Sequence, residues 1–488
     1  MTKKASQPRP ATTLGLVLTG LLASAPLAAA AAPPEVSTAQ LTLAAGYKAQ
    51  FTCSATFNAG KTTAMIEAQE LTNISADLQP LLKVVGPAQI DREQALVSVR
   101  YHDALPPRLA AWREHLGCAS LPPGATVDDV ETLPRLRFRR ALPDQAELPW
   151  PAGDALPTLS ERQLQLGTRL ADPVTDAFAG AFGGVTSAVL IVKDGAILAE
   201  RYLPGYTLDT SQRTWSVAKS LAATVIGAAV HKGILKVSDP SSIDAWDRRG
   251  DPRADITIEH LLHMNSGLDS DVRGSNTPEV YFGGGLVSQE VPRRRLIAPP
   301  GTLWQYANND TMLVMLALRE RLRSRQRYLK FPFEALLHPV GMHRTRPETD
   351  WDGNFIMSSQ VWTTARDLAR LGLLYLNDGV WNGKRLLPKG WAEYVRRPAT
   401  TQPTPRLQAA PGTPGLGYGA QFWRLEDFEG IPADAHAAIG NRGQWILLQP
   451  SEGLLIVRRG YDYADNRFDG PGFLATVRKT LGAGSAAN

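Results

Sequence analysis

SVAKSLAATVIGAAV, residues Ser216 to Val230, decides how this chain is read. Apart from Lys219, its only polar side chains are the small hydroxyls of Ser216, Ser220 and Thr224. A helix that is apolar nearly all round belongs in a large core. A charged lysine is costly there, so it must find a partner or lower its pKa and become a base. Positions i and i+3 share a helix face, which brings the Lys219 amine to the Ser216 hydroxyl. A serine beside a desolvated amine is an activated nucleophile. The plainer alternative makes Ser216 a helix N-cap and nothing more. Its companions in the sequence decide between the two.

The chain has 488 residues, 43% hydrophobic and 20% charged. That is globular composition, long enough for two or three domains. Residues 1–32 read as a secretory signal peptide. Lys3, Lys4 and Arg9 precede the apolar stretch Leu14 to Leu27, and the run Ala28 to Ala32 offers cleavage sites. The stretch is too short for a comfortable membrane span, so no stable membrane anchor is expected. An exported, periplasmic or secreted protein is expected. The net charge of +5 includes three basic and no acidic residues in 1–32, which leaves about +2 for the rest. Nucleic acid is therefore not an expected partner. The clusters Arg135/Arg137/Arg139/Arg140 and Arg293 to Arg295 read as solvated faces or linkers. The two cysteines, Cys53 and Cys118, are expected to pair as a disulfide in an oxidising compartment.

Residues 33–150 read as an N-terminal extension domain, with strand-like runs at Tyr47 to Phe51 and Ala95 to Val99. A Pro-rich join around Pro143 and Pro149-Trp150-Pro151 reads as a linker, and 151–184 as linker and first helix. From 185 to 488 a second unit opens on a hairpin, Ala188 to Val192 and Ile197 to Arg201 around Asp194-Gly195. Helical periodicity follows at Thr311 to Arg321 and Thr363 to Leu376. Strands return at Gly419 to Leu425, Gln444 to Gln449 and Leu454 to Arg458. Strands at both ends predict one antiparallel sheet flanked by helices, with an inserted helical subdomain between them.

Serine acyl transfer needs a nucleophile, a base, an acid for the leaving group and an oxyanion site. Tyr306-Ala307-Asn308 follows a Pro-Pro-Gly turn and can point into a cleft. Near a lysine ammonium the Tyr306 pKa would fall, which suits a proton relay; Asn308 could hold a substrate carbonyl. Tyr375-Leu376-Asn377 has the same spacing but ends a helix and reads as structural. Gly440-Asn441-Arg442-Gly443-Gln444 leads into a strand, where glycines admit close backbone approach. The backbone N–H groups of Ser216 and Gln444 could form the oxyanion site; a plain Gly-rich turn is the alternative. No Gly-x-Ser-x-Gly elbow or His-Glu-x-x-His zinc motif occurs. His260 and His263 read as a packing pair rather than metal ligands.

Together the motifs resemble the serine β-lactamase/penicillin-binding-protein superfamily, in its esterase-like and 6-aminohexanoate-dimer-hydrolase-like branch. The matching text is TWSVAKS at 214–220, HLLHMNSGLD at 260–269, PPGTLWQYAN at 299–308, ARDLARLGLLYLNDGVW at 365–381 and GNRGQW at 440–445. The segment with Cys53 and Cys118 looks like the N-terminal extension some of these hydrolases carry. The resemblance implies an α/β sandwich of β-lactamase/transpeptidase type, Ser216 as acylated nucleophile, Lys219 as base and Tyr306 as relay. Asn308 and the edge at Asn441, Arg442 and Gly443 would hold a small ester or amide substrate. It implies no metal and no organic cofactor.

One departure matters. Many members carry Lys-Thr-Gly or His-Thr-Gly where this chain has Asn441-Arg442-Gly443, which argues against efficient β-lactam or peptidoglycan chemistry. An exported serine esterase or amidase is expected. A β-lactamase or D-alanyl-D-alanine carboxypeptidase, and a non-catalytic binding module, are the alternatives.

Overall fold

Strands from the two ends of the 185–488 segment meet in one sheet. The computed structural model describes residues 36–270, 277–404, 407–408 and 414–482; the expected signal peptide at 1–32 lies outside them. The chain divides into two units, Met1–Ser37 and Thr38–Asn488, and every element below belongs to the second.

The second unit begins with helices α1 (Thr38–Phe57) and α2 (Thr63–Gln69) and an antiparallel meander, β1 (Ala88–Asp91), β2 (Leu96–Val99), β3 (Arg108–Arg113) and β4 (Gly117–Ser120), in that spatial order. The run Tyr47 to Phe51, expected as a strand, lies inside α1. Its five-residue alternation misleads because Ala44 to Thr56 are buried on every side, which erases the helical period. A Cys53–Cys118 disulfide ties α1 to β4, with Cα atoms 6.1 Å apart. The Pro-rich join is packed down: Trp150 is buried and donates to the Gly195 carbonyl at 2.9 Å.

Helices α3 (Glu161–Arg169) and α4 (Ala171–Ala179) lead into β5 (Thr186–Lys193) and β6 (Ala196–Tyr202). Helix α5 (Val217–His231) follows, then a largely helical stretch that contains α6 (Asn308–Leu322) and α7 (Ala365–Leu376). Strands β7 (Leu407–Gln408), β8 (Gly415–Tyr418), β9 (Trp423–Arg424), β10 (His436–Gly440), β11 (Gln444–Gln449) and β12 (Leu454–Gly460) precede α8 (Gly470–Gly482). The strand expected over Gly419 to Leu425 is shorter, because residues 419–422 make the turn between β8 and β9.

The sheet has eight strands in the order β7-β8-β9-β10-β11-β12-β5-β6. The last strand pairs antiparallel with the first of the hairpin, Ile456 opposite Ile191. Side chains alternate across it. Leu190, Val192, Leu455 and Val457 face the cluster that holds α5 and α7. Val189, Ile191, Leu454 and Ile456 face the cluster built with α4 and α8. The result is a helix–sheet–helix sandwich that buries α5 almost entirely. Gly372 on α7 lets that helix close on the sheet, since a Cβ would stand 2.5 Å from Leu455 Cδ1.

Candidate active site

Ser216 is the residue before α5, and its hydroxyl caps no helix N–H. The cap alternative therefore has no hydrogen bond behind it. Trp215, just upstream, has φ +51°, a costly conformation for a bulky residue and one that concentrates at functional sites. It is held from outside: the Arg213 guanidinium lies 3.6 Å from the Trp215 ring and 4.2 Å from Phe51.

Lys219 is 1% exposed. Its amine lies 3.1 Å from Ser216 Oγ, 2.7 Å from Asn308 Oδ1 and 2.7 Å from the Ser358 carbonyl. No carboxylate contributes to its titration; burial alone pulls its pKa down to about 7. The amine is thus free of its proton in a large fraction of molecules at neutral pH.

Tyr306 sits beside this pair, with its ring centroid 5.0 Å from the Lys219 amine. Burial pushes its pKa well up, offset in part by the Ser216 side chain. This reverses the expected fall, and the reason is physical: a desolvated, half-neutral lysine is a weak source of positive field, whereas burial penalises the phenolate fully. Tyr306 is a neutral phenol that can donate and accept. Its ring stacks on Trp423 at 5.4 Å and meets Tyr418 edge-on at 6.0 Å. Asn308 is the first residue of α6, one position past its cap, so its amide points back toward α5. Asn308 Nδ2 donates to Thr277 Oγ1 at 3.0 Å.

The third motif is a hairpin turn between β10 and β11. Gly440 pairs with Gln444 and presses on the nucleophile: a Cβ on it would stand 2.3 Å from the Thr214 carbonyl and 3.1 Å from Ser216 N. Of the residues expected at the substrate edge, Asn441 is exposed and accepts from Arg442 N, while Arg442 and Gly443 are engaged elsewhere. The Arg442 guanidinium donates to the carbonyls of Gln69 and Thr72. Gly443 lies against Arg458 and Asp462. The Gln444 side chain donates to the carbonyls of Arg442 and Gly460.

Ser216, Lys219, Tyr306 and Asn308 therefore converge, with Gly440 rather than Gly443 as the close glycine. The Ser358 carbonyl, Trp423 and Tyr418 had no signal in the sequence, since nothing in their spacing links them to Ser216. Tyr375 is buried, with its hydroxyl 2.8 Å from Thr224 Oγ1. His260 Nδ1 accepts from Thr257 N, and the His263 ring meets Tyr394 edge-on at 5.5 Å. Among the described residues no group of three or more His, Cys, Asp or Glu is placed to hold a metal ion.

The family model for Beta-lactamase matches residues 174–458, more than half of the chain. The chain belongs to the beta-lactamase family. A 6-aminohexanoate-dimer hydrolase of Paenarthrobacter ureafaciens is 26% identical over 349 residues, 67% of this chain and 82% of that relative. Among solved structures, a family VIII carboxylesterase superposes with TM-score 0.51 at 15% identity, covering 67% of this chain and 99% of its own. A beta-lactamase/D-alanine carboxypeptidase from Yersinia pestis superposes with TM-score 0.51 at 15% identity, covering 66% and 99%. These structures share the fold. This beta-lactamase-family protein is accordingly a serine hydrolase on an α/β sandwich with a helical subdomain.

Proposed function

We propose that this hydrolase cleaves ester or amide bonds through an acyl-enzyme on Ser216. The observation that carries the reading is the lysine geometry. A neutral amine has two N–H donors and one lone pair. Asn308 Oδ1 and the Ser358 carbonyl can only accept, so they take the two donors. The lone pair is left for the Ser216 hydroxyl.

In this mechanism Ser216 Oγ attacks the substrate carbonyl carbon while its proton passes to Lys219. The oxyanion forms beside the backbone at Ser216 and Gly440, with Ser216 N–H and an N–H of the 440–444 turn as donors. Collapse of the intermediate expels the alcohol or amine, which takes a proton through Tyr306. That proton comes from Lys219, which is thereby neutral again; water then attacks the acyl carbon and loses a proton to Lys219, which returns it to Ser216 Oγ as the acyl–oxygen bond breaks and the acid leaves. Small linear amides are the amide class to try first, because the 26% identical relative is named for a 6-aminohexanoate dimer. Export is part of the same proposal, supported by the Cys53–Cys118 disulfide and by the sequence of 1–32.

The test is hydrolysis of p-nitrophenyl acetate and butyrate by the wild type beside Ser216→Ala, with a fluorescent penicillin as a parallel label. Turnover that vanishes in Ser216→Ala supports the reading. Equal rates in both proteins overturn it. Stoichiometric penicillin labelling that needs Ser216 would move the assignment to a β-lactam-processing enzyme.

A further inference from the structure

Arg442 occupies a backbone conformation that favours glycine. Its φ is +58°, in the left-handed region. Its neighbours, Asn441 and Gly443, are the two residue types that adopt this conformation most readily. The left-handed backbone costs an arginine more than it would cost glycine, so the contacts of its side chain are what offset that cost here. That side chain is buried, and its guanidinium donates to the carbonyls of Gln69 and Thr72, at the end of α2 and in the loop that follows.

The loop it grips is itself anchored. Gln69 Oε1 accepts from the Tyr206 hydroxyl at 2.8 Å. Glu70 pairs with Lys61 at 2.5 Å, and Lys61 also donates to the Tyr461 hydroxyl at 2.8 Å. The turn is tied down from the other side too: Arg442 N–H donates to Asn441 Oδ1 at 2.9 Å, and the Arg442 carbonyl accepts from Gln444 Nε2 at 3.0 Å. The same hairpin touches the nucleophile through Gly440. Anchored loop, Arg442, turn and Ser216 thus form one continuous chain of contacts.

We propose that Arg442 is a positioning residue that clamps the 441–443 turn onto the loop after α2 and so fixes the strand edge beside Ser216. The α1–α2 segment then sets the reactivity of the site without touching substrate. The proposal rests on the reading of Ser216 as nucleophile.

The decisive variant is Arg442→Gly in the full chain, because glycine removes the clamp while relieving the left-handed backbone. Three readouts are needed: p-nitrophenyl butyrate kinetics, the rate of Ser216 labelling by a fluorophosphonate, and hydrogen exchange over 66–73 and 440–444. We expect kcat and labelling rate to fall about tenfold, KM to stay within about twofold, and exchange to speed up in both segments. Arg442→Lys, which keeps a donor, should recover part of the rate.

Unchanged kcat and labelling would overturn the proposal and leave Arg442 a structural residue. A tenfold rise in KM at constant kcat would also overturn it, because it would put the guanidinium on the substrate. If the wild type shows no Ser216-dependent turnover or labelling, the nucleophile reading fails and the positioning role fails with it, whatever the exchange shows. If turnover is present and exchange is unchanged, the clamp alone is refuted.

Discussion

Lys219 Nζ lies closer to Asn308 Oδ1, at 2.7 Å, than to Ser216 Oγ, at 3.1 Å. The amide oxygen is a neutral acceptor, so it orients the amine without favouring its charged form as a carboxylate would. Burial is then free to bring the pKa down to about 7. A base must be unprotonated to act, so kcat/KM should fall about tenfold per pH unit below 7 and level off above it. A flat profile from pH 5 to 9 would exclude Lys219 as the base.

Asn308→Asp tests the orienting amide directly. A carboxylate at this distance stabilises the ammonium and raises the Lys219 pKa by about 1–3 units. The acid limb should move upward by the same amount, with activity at pH 7 down about 5- to 500-fold and rising toward pH 9. Asn308→Leu, which adds no charge, should lower the plateau and leave the limb near pH 7. If both variants show the wild-type limb, the amide does not control the amine.

Tyr306→Phe separates the phenol from the ring. The stack on Trp423 at 5.4 Å and the edge contact with Tyr418 do not need the hydroxyl. Folding should survive, with Tm within a few degrees of wild type. A lost proton relay costs about 100-fold or more in kcat. Because the leaving group is what Tyr306 serves, amides should suffer more than p-nitrophenyl esters, whose phenolate leaves without a proton. Equal losses on both would assign the hydroxyl to substrate binding.

The outline of this site was legible because its core is local. Ser216 and Lys219 meet through helix spacing, and Tyr306 and Asn308 flank the start of one helix. The apolar runs at 188–201 and 444–458 are short and bounded by turn signals, which was enough to predict one antiparallel sheet built from both ends. What escaped depends on long-range placement. The Ser358 carbonyl reaches Lys219 from 139 residues away, and no side-chain pattern marks a backbone acceptor. Arg442 stands on the edge where the family resemblance implies a substrate contact, yet its partners are carbonyls some 370 residues distant. The helix at 38–57 was hidden because uniform burial leaves no polar face to read.

Gly440→Ala should damage catalysis without changing any charge. The new methyl would meet the Thr214 carbonyl at 2.3 Å and Ser216 N at 3.1 Å, and both are backbone atoms that cannot swing aside. The strand and the nucleophile must separate, which widens the oxyanion site. Loss of one well-placed oxyanion donor costs about 100- to 1,000-fold in kcat, and overpacking costs about 1–3 kcal/mol in stability. Urea unfolding and ester kinetics on the same sample measure both. Wild-type kcat in Gly440→Ala would show that the strand edge takes no part in the reaction.

Glu348 should make the fold lose stability as pH rises through the weakly acidic range. It is buried and accepts from Ser54 Oγ at 2.7 Å, Asn58 Nδ2 at 2.9 Å, Gln50 Nε2 at 3.2 Å and Cys118 N at 3.0 Å. Desolvation outweighs these donors and pushes its pKa up to about 7 from 4.5. The folded state therefore holds a proton that the unfolded chain releases earlier. Its stabilising contribution is complete below about pH 4.5 and is lost as pH climbs to about 7, by up to about 3 kcal/mol. Glu348→Gln stays neutral throughout, and the introduced amide can donate to Gln50 Oε1, a buried acceptor without a partner among the described residues. Asp310, whose pKa burial also raises to about 7, leaves a residual slope of the same sign. Urea midpoints at pH 5 and pH 7.5 should differ clearly less for Glu348→Gln than for wild type, with the gain appearing at pH 7.5. An identical pH dependence in both proteins would mean that the four donors keep Glu348 ionised in the fold.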